Sequence, residues 1–348
     1  MSLLASSFPG GAVPSHGVHL PAAGSTRHGR YVRFLDSLDR HLSTTKYDIV
    51  HAMLPVRQCD VYHPHAGMAV EVIAGGRRKY VGPIRQILAK TANRLNARRQ
   101  EFAAVERALL GSPNPPVVLC LSEYVKGLIG RHYALPPSKM ATLFNATDLS
   151  RFDPTKRPQA GGEVRERFHI PPDRIVALMI AQDFARKGLR EAILALARIP
   201  DARLTLLVVG KQNPRVYRDV AVRAGVGDRV VFAGPTTDSF SFYRAADFMV
   251  LPTRHDPCSL VVLEALAMGV PVISTILNGA CEIMTNGTHG FVLKDPSDLD
   301  GLAGAMREFL DPDKRSRMAE ACIQLRPALS YEHHLDGLLR IYSGIQGR

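Results

Sequence analysis

The second half of the chain alternates short apolar runs with amphipathic stretches at a regular spacing. Ile175–Ala181, Leu204–Gly210, Val230–Ala233, Phe248–Pro252, Val270–Thr275 and Gly290–Leu293 read as buried strands. Leu189–Arg198 and Ser239–Ala246 between them read as helices. This pattern predicts an α/β domain with a parallel sheet covered on both faces and ligands at the carboxyl ends of the strands. The first half is less regular. Asp48–Met53, Val117–Ser122 and Met140–Phe144 read as strands, and Tyr31–Leu42 and Tyr124–Tyr133 as helices. Before them, Met1–Pro21 offers an apolar stub at Leu3–Leu4 and a weak strand signal at Val18–Leu20.

One segment breaks the alternation. Ser259–Gly269 is apolar on every side except for Glu264, which predicts a buried helix carrying a buried carboxylate. An unpaired carboxylate in such a place costs several kcal/mol or protonates, so it requires fixed donors. Ligand hydroxyls would serve, and so would a buried Arg or Lys. Asp256 lies in the loop ahead of this helix, where it acts on a ligand or caps the helix. Between the two acids, the backbone N–H groups of Ser259, Leu260 and Val261 form an anion seat at a helix N-terminus. Hydroxyl acceptors beside an anion seat are the chemistry of a nucleotide-sugar site. At the end of the first strand, Asp183-Phe184-Ala185-Arg186-Lys187-Gly188 places two cations and a glycine where a helix begins, a second candidate diphosphate seat; a solvated basic loop is the alternative.

The segment Asp256 to Thr275 resembles the E-x7-E segment of retaining GT-B glycosyltransferases (family 4, group 1) and the strand that follows it, with Asp256 in place of the usual Glu. The Asp183–Gly188 form is most similar to the lipopolysaccharide core glucosyltransferases. Asn145–Phe152 resembles the linker between the family's two domains, and Asn278-Gly279-Ala280-Cys281-Glu282 its small-residue loop and following acid, with one glycine replaced. The resemblance implies two Rossmann-like domains with parallel sheets facing a central cleft. It implies an N-terminal acceptor-side domain over 1–155, a C-terminal nucleotide-sugar domain over 156–330, with the boundary near Asp153–Gly162, and a C-terminal helix over 331–348 able to pack back on the first domain. Against the family, the opening strand, glycine loop and first helix of the N-terminal domain are missing, so a truncated start is expected.

The implied activity is transfer of a sugar from a nucleotide diphosphate donor, UDP-linked, to a lipid-linked or cell-envelope glycan with retention of configuration, without a metal or other cofactor. Arg186 and Lys187 would neutralise the leaving diphosphate, Glu264 hold ribose hydroxyls and Asp256 the donor sugar. Ser259, Leu260, Val261, Gly188, Gly279 and Glu282 would line the donor. His65, and less so His63, are candidates for the catalytic centre, because imidazole titrates near neutrality. Two other readings share the fold: a nucleotide-sugar epimerase and a non-catalytic nucleotide-sugar-binding protein.

Charge adds a partner. The chain of 348 residues carries a formal charge of +12 with a pI near 9.7, which implies a polyanionic partner. Residues 77–107 hold nine basic residues, among them Arg85, Lys90, Arg94 and Arg98, against Glu101 and Glu106, a local excess of seven. Ile84, Ile87, Leu88, Leu95, Phe102 and Leu109 recur at helical spacing, so a cationic amphipathic helix for an anionic membrane is expected, with a solvated surface helix as the alternative. Nucleic acid is not expected, for want of a recognition motif and of aromatics near the patch. No apolar run reaches the length of a membrane span, and five scattered cysteines suit a reducing compartment. The expected location is cytoplasmic, peripheral on the inner face of the cytoplasmic membrane. Asp311-Pro312-Asp313 mimics a metal-binding pair but reads as a turn at a helix end.

Overall fold

The computed structural model describes residues 1–8, 12–65, 67–71 and 96–346. The chain divides into two units: residues 1–120, 127–141 and 341–348 form the first, and residues 121–126 and 142–340 the second. It passes from first to second at Ala141–Thr142, so that Asp153–Gly162 lies wholly within the second.

In the first unit, β1 (Leu3–Ala5) pairs in parallel with β2 (Gly17–His19), in register from Leu3 opposite Gly17. The apolar stub is therefore a strand, though its ladder stands apart from the main sheet of the unit. Helix α1 (Arg27–Thr44) starts at Thr26, whose hydroxyl accepts from the Gly29 N–H at 3.0 Å. Its buried stripe is Tyr31, Leu35 and Leu38, four and three residues apart. Strands β3 (His51–Ala52), β4 (Val61–Tyr62) and β5 (Val117–Cys120) form a parallel sheet with β6 (Met140–Thr142) at its edge. The strand expected over Asp48–Met53 is cut to two residues because the Asp60 carboxylate takes the Val50 N–H at 2.8 Å in place of a ladder carbonyl.

Helix α2 (Ala97–Leu110) carries Glu106, fully buried. Its carboxylate accepts from the Tyr62 hydroxyl at 2.6 Å, the Ala69 N–H at 2.9 Å and the Tyr133 hydroxyl at 3.1 Å. Burial raises its pKa, and these donors oppose the rise. Residues 77–95 of the expected basic helix lie outside the described residues; Arg98, Arg99 and Arg107 lie on α2. Helix α3 (Glu123–His132) begins in the second unit and continues in the first.

The second unit follows the predicted alternation closely. Helix α4 (Ala160–Arg167) precedes β7 (Ile175–Ile180), and then come α5 (Leu189–Leu196), β8 (Leu204–Val209), α6 (Arg215–Arg223), β9 (Val230–Gly234), α7 (Ser239–Ala245) and β10 (Phe248–Val250). Helix α8 (Leu260–Ala267), β11 (Val272–Thr275), β12 (Gly290–Leu293), α9 (Leu299–Glu308), α10 (Pro312–Gln324), α11 (Arg326–Leu329) and α12 (Tyr331–Gln346) complete it, the last helix ending in the first unit. The sheet order is β12-β11-β10-β7-β8-β9, all parallel. Its four inner strands, β11, β10, β7 and β8, are buried on both faces, which is why they read as continuous apolar runs and not as alternating ones, while the edge strands β9 and β12 are largely half-buried. Asp311 caps α10, accepting from the Asp313 and Lys314 N–H groups.

Candidate functional site

Three loops meet at the carboxyl ends of β7, β10 and β11. The first, Asp183–Gly188, is a tight turn held from inside: Asp183 accepts from the Arg186 N–H at 3.1 Å, and the Phe184 N–H donates to the Gln212 side chain at 2.7 Å. Gly188 closes it with φ +79°, and a Cβ there would stand 2.3 Å from the Pro252 carbonyl oxygen. Only glycine meets both demands. The second loop lies against the first, since the Arg254 N–H and the Thr253 hydroxyl both donate to the Arg186 carbonyl. The third joins the second as an extension of the β10–β11 ladder. The Asp256 N–H donates to the Leu277 carbonyl at 2.8 Å, and the Gly279 N–H returns to the Asp256 carbonyl at 3.0 Å.

This frame brings Lys187 and Asp256 together as a buried ion pair, each 7% exposed. The Lys187 ammonium also stands 3.5 Å from the Ser259 hydroxyl, at the start of α8. Burial pulls the Lys187 pKa down, and the Asp256 charge opposes the fall. The two residues expected to act separately, one on the diphosphate and one on the sugar, are thus each other's first partner. Arg186 is half-buried, and its guanidinium donates to the His255 carbonyl at 2.8 Å.

Helix α8 differs from the expectation of a helix buried all round. Leu260 is 44% exposed and Val261 and Glu264 are half-buried, so one face is open along the Leu260–Val261–Glu264 stripe. The Ser259 N–H is taken by the Asn278 side-chain oxygen at 3.3 Å, which removes one of the three donors expected for an anion. The N–H groups of Leu260 and Val261 have no acceptor among the described residues. One turn on, Glu264 is paired with no cation among the described residues: one carboxylate oxygen accepts from the Tyr243 hydroxyl at 2.8 Å. Burial raises the Glu264 pKa, and the Tyr243 bond counters it; the Tyr243 phenol is itself held well above its ordinary range by burial.

Gly279 and Glu282 sit in the third loop with structural tasks of their own. A Cβ on Gly279 would come within 2.1 Å of the Pro257 carbonyl and the Ser122 hydroxyl, so the glycine is needed for packing. Glu282, expected to line the donor, turns its carboxylate to the start of α3 and accepts from the Glu123 and Tyr124 N–H groups at 2.7 and 2.6 Å. His63 and His65 belong to the first unit. His63 is buried, with the His51 ring 5.4 Å away on one side and the exposed His65 ring 5.4 Å away on the other. Sequence reasoning missed Tyr243 and Asn278, which fix Glu264 and the start of α8. Tyr243 is hidden in an apolar helix, whereas Asn278, directly before a glycine in a loop, carries a turn signal that could have been read. Among the described residues no group of three or more His, Cys, Asp or Glu is placed to hold a metal ion, and no helix is long and apolar enough to cross a membrane.

Residues 162–324 match the family described as "Glycosyl transferases group 1". The chain is 25% identical over 296 residues to lipopolysaccharide glucosyltransferase WaaG of Escherichia coli (strain K12), covering 84% of this chain and 76% of that protein. It is 34% identical over 157 residues to the lipopolysaccharide core biosynthesis glycosyltransferase LpsE of Rhizobium meliloti (strain 1021), covering 45% and 46% of the two chains. In structure it matches WaaG, a glycosyltransferase involved in lipopolysaccharide biosynthesis, with a TM-score of 0.73 at 24% identity over 93% of this chain and 86% of that one. It also matches Anabaena Alr3699/HepE, solved in complex with UDP and glucose, with a TM-score of 0.69 at 15% identity over 95% and 86%. Residues 162–324 are therefore a group 1 glycosyltransferase domain, and the fold of the chain is that of the GT-B glycosyltransferases.

Proposed function

We propose that this glycosyltransferase takes a sugar from a UDP-linked donor and places it on a lipid-linked or cell-envelope glycan with retention of configuration. The observation that carries the reading is the open stripe of α8, with two unsatisfied N–H groups at its start, the Lys187 ammonium beside them and one Glu264 oxygen one turn on. Phosphates fit the first part and ribose hydroxyls the second. The UDP-bound state of the HepE structure supports the choice of nucleotide.

On this reading Asp256 acts on Lys187. Burial at that depth favours the neutral amine, and the Asp256 carboxylate opposes that loss of charge. That charge and Arg186 stabilise the diphosphate as its bond to the sugar breaks and negative charge gathers on the departing oxygen. The second Asp256 oxygen remains for a sugar hydroxyl. Tyr243 holds Glu264 in place for the ribose, and Gly188 sets the turn that carries Arg186 and Lys187. His65 and His63, on the first unit, are proposed to take part in the reaction.

Residues 77–107 are proposed to anchor the protein peripherally on the inner face of the cytoplasmic membrane. Each Lys or Arg near an anionic surface contributes about 1 kcal/mol. Replacing Arg85, Lys90, Arg94 and Arg98 with Gln should abolish sedimentation with anionic vesicles and leave UDP binding intact. For the activity, the protein is incubated with a labelled UDP-sugar and a membrane extract. Label moving to lipid supports the transferase, epimerised label the isomerase, and label that stays bound a binding protein.

A further inference from the structure

At the carboxyl ends of β3 and β4 the first unit opens into two adjoining cavities, of about 420 and 510 Å³. They share Arg27, Leu54, Arg98 and Phe102; Arg99 lines the first and Arg30 the second. Four arginines thus line this space, and among the described residues no Asp or Glu lines either cavity. The contrast with Arg57 nearby is informative: that guanidinium is held by Asp36 at 2.9 Å and Asp39 at 2.6 Å. Arg27, Arg30 and Arg98 have no carboxylate partner among the described residues, and Arg98 lies instead over the Phe102 ring at 5.0 Å.

The like charges of Arg27, Arg30 and Arg98 repel one another, which favours an anion between them. Met53, Leu54, Phe34 and Phe102 give the wall an apolar surface, beside the polar side chains of Ser6, Ser7, Asn96, Tyr31 and Tyr62. The edge of a parallel sheet where strands end is also where α/β units take their ligands. Bidentate arginine is suited to phosphate, and an apolar wall to carbon bearing it.

We infer that this double cavity binds a phosphate monoester carried on a partly apolar molecule, so that the acceptor is a phosphorylated glycan or glycolipid. Only the word acceptor rests on the transferase reading; the phosphate site itself does not. Arg27 and Arg98 grip the phosphate from the wall common to both cavities, Arg30 and Arg99 add charge from either side, and the Phe34–Phe102 surface takes the apolar part.

The test uses the full chain without donor. Glucose 6-phosphate is titrated by calorimetry, and vesicles carrying phosphatidate, a phosphate monoester, are compared by sedimentation with charge-matched vesicles carrying phosphatidylglycerol, a diester that the basic segment 77–107 would bind equally, the excess on phosphatidate being the signal. The variants are Arg27→Gln/Arg98→Gln and, as a charge-matched control on the other unit, Arg215→Gln/Arg223→Gln. The double pocket variant should lose about ten- to a hundredfold in affinity for the phosphate probe that binds, while the control keeps it. Binding of glucose 6-phosphate assigns the site to a soluble phosphorylated glycan; binding of phosphatidate vesicles alone assigns it to a lipid-borne phosphate. Equal binding by wild type and pocket variant, or no binding of either probe by wild type, overturns the inference. Titration of UDP on the same samples reads the donor site separately, so that failure of one assignment is not mistaken for failure of the other.

Discussion

Lys187→Ala is the perturbation that most directly tests the arrangement at α8. The side chain is 7% exposed, and its ammonium meets an equally buried carboxylate. Removing the cation leaves Asp256 without its partner in a place that water barely reaches. Breaking one side of a buried pair costs about 3–5 kcal/mol, and a domain of this size loses roughly 2–4 °C in Tm for each kcal/mol, so a fall of about 6–20 °C is expected. Lys187→Met/Asp256→Leu removes both charges and keeps the volume, and should recover most of that loss. Neither protein should bind UDP as wild type does, since both lack the ammonium beside the anion seat. The chain has no tryptophan, so unfolding is followed by far-ultraviolet circular dichroism in urea, with UDP titrated calorimetrically under folded conditions. If Lys187→Ala unfolds within about 0.5 kcal/mol of wild type, or the double variant is no more stable than the single one, the pair is not coupled and the account of Asp256 fails.

Three further outcomes follow from the geometry. Glu264→Gln should cost roughly ten- to a hundredfold in UDP affinity, the worth of a charge-assisted bond, without unfolding the protein. Because burial raises the Glu264 pKa, the carboxylate that would accept from ribose hydroxyls takes up its proton at a higher pH than an exposed glutamate does. UDP affinity should therefore fall as pH drops through that raised value, and calorimetry across pH should show this slope in wild type and not in Glu264→Gln. The same shift means that, without ligand, this group favours the folded state more as pH falls from the folded pKa toward the unfolded one, since the native state then holds the extra proton. Gly188→Ala should lower the unfolding free energy of the second unit by more than about 1 kcal/mol, read from urea unfolding, combining a left-handed φ with the 2.3 Å approach to Pro252; an unchanged midpoint would contradict the turn geometry. Glu282→Ala should cost about 0.5–2 kcal/mol as a lost cap on α3 with UDP affinity preserved, and a large loss of affinity at wild-type stability would return Glu282 to the donor site.

The inner strands of the second unit could be read from sequence because burial on both faces writes continuous apolar runs, and the ends of all six strands agree with the structure to within two residues. The first unit was harder. Its strands are two to four residues long, and interactions such as the Asp60 side chain with the Val50 amide end them early, which no periodicity reports. At the site, Asp256, Glu264 and the Arg186–Lys187 pair stood out as charges in apolar surroundings. What those charges touch did not. The Lys187–Asp256 pair joins residues 69 positions apart, and the bond from Tyr243 to Glu264 joins two helices across the sheet order. Glu282 shows the same limit from the other side, since an acid after a small-residue loop gives no sign in sequence that its carboxylate also caps a helix.

The brief return of residues 121–126 to the second unit bears on how that unit can be cut out of the chain. Leu121 lies in its hydrophobic core, the Ser122 hydroxyl donates to the Pro257 carbonyl at 2.8 Å, and the first amides of α3 satisfy Glu282. A fragment beginning at residue 142 carries every residue of the candidate donor site and yet leaves a hole beside Gly279, a bare carboxylate at Glu282 and an unfilled carbonyl at Pro257, within a few residues of Asp256 and Ser259. The donor half is thus not a contiguous piece of sequence. Supplying Leu121–Lys126 as part of the same polypeptide is the condition for studying nucleotide binding on it in isolation.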